Sequence, residues 1–142
     1  MQPTSTFPTL VQVVLDTTDV RRLAEFYREL LGYEYRPGDE PRQGEQNLDW
    51  LGLRHPSGSP RIAFQLTERL PRSTWPKPDI PQQLHLDLSV SNKPELDAQH
   101  ERVLKMGATL IFDRSEDPQE PLYVYADPAG HPFCIFVAPT TA

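Results

Sequence analysis

The chain has 142 residues, with 14 Lys plus Arg against 20 Asp plus Glu and a net charge of −6, a balance that excludes the basic stripe a nucleic-acid partner would require. Its single cysteine excludes an intramolecular disulfide, and no stretch approaches the roughly 20 apolar residues of a membrane-spanning helix. Residues 1–6 lack the basic start and apolar run of a secretory signal, so the expectation is one domain over 1–142, cytoplasmic, without a nucleic-acid or membrane partner.

In chain order, the pattern predicts a strand over 9–15 and then a helix over 19–31. Asp19 can cap this helix, Leu23, Phe26, Tyr27 and Leu30 repeat at the three-and-four spacing of a buried face, and Gly32 stands where helices turn left-handed. Strands follow over 33–35, 48–53 and 61–67. A connector over 68–83 carries Pro71, Pro76, Pro78 and Pro81 and reads as a rigid link between halves. Beyond it lie a strand over 84–90, a helix over 94–106 and strands over 109–112, 122–125 and 132–137. The second helix has Asn92 as its cap, Pro94 in its first turn, Glu95 three residues after the cap and Gly107 at its end, with Leu96, Val103, Leu104 and Met106 as its buried stripe.

The order strand, helix and three strands occurs twice, and the spacing supports an internal duplication over about 9–67 and 84–138. Asp19 and Asn92 are 73 positions apart, Gly32 and Gly107 are 75, and the turns His55-Pro56-Ser57-Gly58 and Asp127-Pro128-Ala129-Gly130 hold an offset of 72. A repeat of that length is too long for a solenoid unit, and two units join most naturally about a pseudo-twofold axis.

The strand over 84–90 has two unlike faces. Leu84, Leu86, Leu88 and Val90 project to one side, and His85, Asp87 and Ser89 to the other. The first face reads as core and the second as a polar wall. Trp50, Tyr123 and Tyr125 alternate with smaller apolar residues and are expected on the same concave face as His85 and Gln12, which makes Trp50, Asp87, Tyr123 and Tyr125 the candidate ligand-binding residues. The alternative is that these rings fill a dimer interface or the space between the sheet halves. Trp75 either anchors the connector or reaches the cavity mouth, and the polar loop over 38–47 either gates the site or is an ordinary surface loop. His55, His100 and His131 read as structural or incidental, and Cys134, in an apolar strand, as a small buried hydrophobe. The chain contains no GxSxG elbow, P-loop, dinucleotide fingerprint or CxxC pair.

The doubled βαβββ order, His85-Leu86-Asp87-Leu88 with Gly107-Ala108, and Asp127-Pro128-Ala129-Gly130-His131-Pro132-Phe133-Cys134 together resemble the vicinal oxygen chelate superfamily, which includes glyoxalase I, bleomycin-resistance proteins, fosfomycin-resistance enzymes and extradiol dioxygenases. The resemblance implies an α+β fold: two paired βαβββ modules forming a curved, mixed, mostly antiparallel sheet with helices on the outer face. It also implies a homodimer with a small-molecule ligand. The superfamily's metal positions fall on Gln12, Gln65, His85 and Cys134, with Gln12 and His85 as twins and Cys134 at the fourth position, so the implied cofactor is one divalent metal ion. Two amides, an imidazole and a thiol supply little of the negative charge such an ion takes, although Asp87 could add a carboxylate. Three functions are therefore carried forward, and no catalytic residue is assigned. They are metal-independent small-molecule binding or sequestration, metal-assisted lyase, isomerase or transferase chemistry, and a module that binds a protein segment.

Overall fold

Side-chain caps start both helices where the sequence places them. Asp19 accepts a hydrogen bond from the Arg22 N–H at 3.1 Å and Asn92 accepts one from the Glu95 N–H at 2.9 Å, satisfying donors that have no partner inside a helix. The structure, a computed structural model, describes residues 7–139; residues 1–6, on which the expected location rests, lie outside that range. The first half runs β1 (Val13–Thr17), α1 (Val20–Leu31), β2 (Glu34–Tyr35), β3 (Trp50–Arg54) and β4 (Arg61–Leu66). The second repeats it with β5 (Leu86–Val90), α2 (Lys93–Lys105), β6 (Thr109–Arg114), β7 (Leu122–Ala126) and β8 (Pro132–Val137).

The fold is α+β, with two helices and two four-stranded mixed sheets in the orders β1-β4-β3-β2 and β5-β8-β7-β6. In each sheet the first strand pairs in parallel with the last and the other pairs are antiparallel. Among the described residues no ladder joins the two sheets, so the curved surface is built from two halves and not from one continuous sheet. β5 starts two residues later than the alternation alone implies. Its ladder begins at Leu86 opposite Phe133, just past Pro132, which has no N–H to donate.

Both helices lie against one face of the sheets. Leu23, Phe26, Tyr27 and Leu30 of α1 are buried, each apolar side chain contributing roughly 1.5–3 kcal/mol by its removal from water. The Tyr27 ring stacks on Phe64 of the first sheet at 5.9 Å, while Phe26 meets Phe133 of the second edge-on at 5.9 Å. One helix thus packs on both halves. α2 buries Leu96 and Val103, but Leu104 from the predicted stripe is exposed. Arg102 of α2 donates to the Leu30 carbonyl at 3.2 Å and also to that of Glu29, occupying acceptors that the end of α1 leaves open.

Two of the histidines expected to be structural or incidental are structural. His100 stacks on Tyr123 with ring centroids 3.9 Å apart and hydrogen-bonds the Tyr125 hydroxyl at 2.7 Å. His131 donates from Nε2 to the Asp16 carbonyl at 2.6 Å and so ties the last hairpin to β1. Beside it the buried Asp127 accepts from the Ala129 and His131 N–H groups through Oδ1 and from the Tyr27 hydroxyl at 2.6 Å through Oδ2. That hairpin is therefore fastened to α1 from a distance of 100 residues.

Candidate functional site

The register of the second sheet sets which side chains share its open face. Asp87 of β5 lies opposite Cys134 of β8, Cys134 opposite Val124 of β7, and Val124 opposite Phe112 of β6. The next row on the same face is Ser89, Phe136, Leu122 and Arg114. These rows floor a cavity of about 350 Å³, within the size range that encloses small molecules. The connector closes one side. The Thr74 N–H donates to the Ile80 carbonyl at 2.7 Å and the Ile80 N–H to Thr74 Oγ1 at 2.8 Å, and this closed loop holds Trp75 edge-on to Phe112, 6.1 Å away.

Polar groups converge at one end of the apolar floor. Cys134 Sγ donates to Asp87 Oδ1 at 2.8 Å, and His85 Nε2 lies 3.2 Å from the same oxygen. Burial first, and the Asp87 carboxylate second, push the Cys134 thiol up to about 12, so in the metal-free protein it is a neutral hydrogen-bond donor near pH 7 and not a nucleophile. Gln82 also lines the cavity, and its buried Oε1 has no hydrogen-bond partner, leaving an acceptor for a ligand's N–H or O–H. Arg114 and Glu120 form a 2.7 Å ion pair at the rim.

The structure brings together some of the sequence candidates and separates others. His85, Asp87 and Cys134 meet, and Trp75 joins them at the cavity wall. Tyr123 and Tyr125 do not. They pair across the sheet with Ile135 and Phe133, which puts them on the face covered by α2, where Tyr125 is fully buried. Burial raises the Tyr125 hydroxyl well above the usual tyrosine range. Trp50 belongs to the first sheet opposite Gln65, beside a smaller recess shared with the 38–47 loop. That loop does not reach the second-half cavity, because Arg21 of α1 holds it through Glu45 at 2.8 Å and the Asp39 carbonyl at 2.8 Å. Phe112, Leu122, Val124 and Phe136 line the site and escaped the sequence reading. Their signal was present in the hairpin, since a turn that pairs Ala126 with Pro132 must also pair Val124 with Cys134.

The four implied metal positions do not converge. β1 pairs with β4 from Val13 opposite Ile62 to Thr17 opposite Leu66, so Gln65 faces Asp16, whereas Gln12 falls four residues earlier, beside Arg61. Four residues of strand are about 13 Å. Gln12 lines a different cavity from His85. The proposed equivalence of Gln65 and Cys134 also shifts. The loop after β7 is one residue shorter than that after β3, so the offset of 72 between β3 and β7 becomes 71 between β4 and β8. Cys134 therefore corresponds to Ala63, and Gln65 to Phe136. Among the described residues no group of three or more His, Cys, Asp and Glu side chains is disposed to hold a metal ion. With no such group present and with Gln12 and Gln65 about 13 Å apart along the strands, the donor set of this chain does not fit a divalent cation.

A glyoxalase-like domain model matches residues 12–136. No curated protein matches the sequence. Solved structures with a similar fold include a hypothetical protein, SA1046, from S. aureus, at 17% identity and a TM-score of 0.66 over 94% of this chain and 100% of that one. A glyoxalase/bleomycin resistance protein/dioxygenase family enzyme from Burkholderia phytofirmans aligns at 18% identity and a TM-score of 0.64 over 89% and 96%. A mutant of the fosfomycin resistance protein FosX from Listeria monocytogenes, complexed with Mn(II) and a dihydroxypropylphosphonic acid, aligns at 15% identity and 0.67 over 95% of each chain.

Proposed function

Because this chain belongs to the glyoxalase-like family of the vicinal oxygen chelate superfamily, we propose that it binds a small organic molecule in the second-half cavity without a metal ion, as a binding or sequestering protein. The observation that carries this reading is the apolar, aromatic-walled pocket with the Cys134 thiol hydrogen-bonded to Asp87 at its end. A ligand suited to it has an aromatic or aliphatic body that displaces water from Trp75, Phe112, Val124 and Phe136. It also has an N–H or ammonium group that reaches Asp87 and the open Gln82 acceptor. The proposal includes a homodimer, to be checked by light scattering of the purified protein, and a cytoplasmic location, to be checked by cell fractionation.

The test starts with elemental analysis of untagged protein and of His85→Ala, both purified without chelator and then incubated with manganese, nickel, cobalt or iron. Binding without metal predicts none retained in either sample. A panel of small aromatic amines is then titrated against Trp75 fluorescence in a Trp50→Phe background. Saturable quenching that weakens about tenfold in Asp87→Asn supports the assignment, tenfold being the usual size of one charge-assisted hydrogen bond. Absence of quenching across the panel counts against it.

The competing reading is a metal-assisted lyase, isomerase or transferase, motivated by the Mn(II) in the FosX neighbour. Stoichiometric metal that disappears in His85→Ala would favour it and overturn the metal-independent one.

A further inference from the structure

The first half carries its own cavity on the open face, about 400 Å³ in volume, and its chemistry is the reverse of that in the second half. Gln12, Arg36, Arg54 and Arg61 surround it, with Gly52 in its wall. Three guanidinium groups around one cavity are a marked concentration in a chain with a net charge of −6.

The backbone explains how they gather. Gly52 has no side chain, so the stem of Arg36 lies across β3, its Cβ only 3.5 Å from where a Gly52 Cβ would be. The Arg36 N–H donates to the Gly52 carbonyl at 2.9 Å, and the Gly52 N–H donates to Asp39 Oδ2 at 2.9 Å. Asp39 also pairs with Arg36 Nε at 3.1 Å. Arg54 is less well served. Its Nε is buried and makes no hydrogen bond, with Glu34 Oε1 3.5 Å away as a loose ion-pair partner. Arg61 donates from Nε to the Gly58 carbonyl at 3.1 Å and pairs with no carboxylate among the described residues. Three cations thus face two acids, and one positive charge is unbalanced beside a neutral amide from Gln12.

We propose that this first-half cavity binds a tetrahedral oxyanion, a phosphate, phosphonate or sulfate group carried on a small molecule. Guanidinium forks match such oxygens in bidentate fashion, and they are less strongly hydrated than ammonium groups, which lowers the cost of partial burial. Arg61 is the primary anchor because its charge is not already compensated. Arg54 completes its hydrogen bonding when an anion draws it from Glu34, and the Gln12 amide supplies a neutral donor. The site is separate from the cavity bounded by His85 and Asp87. In the duplicated scaffold, Gly52 stands where Val124 stands 72 positions later, so one half offers an anion site and the other an apolar one.

The experiment is isothermal titration of the full chain with inorganic phosphate at low ionic strength, on the wild type, Arg61→Gln, Arg61→Lys and Asp87→Asn. The expected result is saturable binding at one phosphate per chain, about tenfold weaker in Arg61→Gln and intermediate in Arg61→Lys, which keeps the charge and loses the fork. Binding should weaken with added sodium chloride and be unchanged in Asp87→Asn. Arg61 is exposed, so circular dichroism should show an intact fold in both Arg61 variants. No saturable phosphate binding by the wild type, or equal affinities in wild type and Arg61→Gln, would overturn the proposal. So would a changed phosphate affinity in Asp87→Asn, tightening above all, since removing a carboxylate strengthens an anion bound beside it and would put the anion in the second-half cavity.

Discussion

Replacing Tyr27 by Phe removes one oxygen from the centre of the molecule and tests how the two halves are held together. The Tyr27 hydroxyl donates to Asp127 Oδ2 at 2.6 Å, and both side chains are fully buried. Oδ1 of Asp127 is already used by the Ala129 and His131 N–H groups, so in Tyr27→Phe the second oxygen loses its protein donor in a site with no exposure to water. A hydrogen bond to an ionised group contributes about 1.5–3 kcal/mol, against about 1 kcal/mol for a neutral pair. The cost should therefore depend on pH. Burial lifts the Asp127 carboxyl above its usual range, with His131 and the Tyr27 hydroxyl opposing. The folded state thus holds that proton more tightly than the unfolded chain does. Stability from this group is fully present below the ordinary carboxylate value and declines as pH rises through the raised folded value. Without the Tyr27 donor the folded value rises further and the decline extends to higher pH. Urea unfolding followed by tryptophan fluorescence should show Tyr27→Phe destabilised by about 2 kcal/mol at pH 7 and by less near pH 4. Asp127→Asn should flatten the pH dependence of the wild type. A loss below about 0.5 kcal/mol at pH 7, the range of an ordinary surface substitution, or one that grows as pH falls, would refute the reasoning.

Other outcomes follow from the same geometry. Asp87 helps hold the Cys134 thiol up to about 12, so Asp87→Asn should increase the thiolate fraction and speed alkylation by iodoacetamide at pH 8.5 several-fold; an unchanged rate would show that the carboxylate does not act on the sulfur. Gly130 has φ 98° and a Cβ there would lie 3.0–3.3 Å from Arg72, so Gly130→Ala should lower stability by about 1–3 kcal/mol in chemical denaturation. Tyr125→Phe removes the 2.7 Å bond to His100 behind the sheet and should cost about 1 kcal/mol while leaving ligand affinity in the Trp75 titration unchanged, whereas a tyrosine on the ligand face would change both.

Local chemistry made the elements legible before any coordinates. Asp19 and Asn92 cap the helices because a short side-chain acceptor at that position satisfies a free N–H in any context, and Gly32 ends α1 with φ 68° because only glycine enters that region without strain. The duplication was equally readable, since offsets of 72 to 75 persist through two copies of one topology. His85 and Asp87 were placed on a common open face by strand alternation, and Cys134, brought to that site only by the family resemblance, meets them there. The errors came from assigning faces by residue type and not by register. Tyr123 and Tyr125 went to the pocket as aromatics, although the 72-residue offset that makes Trp50 the counterpart of Leu122 assigns them to Leu51 and Leu53 of the first-half core.

Determined by sequence alone were the doubled βαβββ order and the polar edge of β5, because caps, glycine turns and period-two alternation act over a few residues; the α+β class came with the family resemblance. Only the tertiary structure decided that the open face is divided into an apolar cavity in one half and an arginine-lined cavity in the other, and that Gln12 and His85 line different cavities. Those outcomes depend on how β4 and β8 register against β1 and β5 and on where the connector sets Trp75. A loop one residue shorter is enough to shift such a register, and no local pattern along a single strand records it.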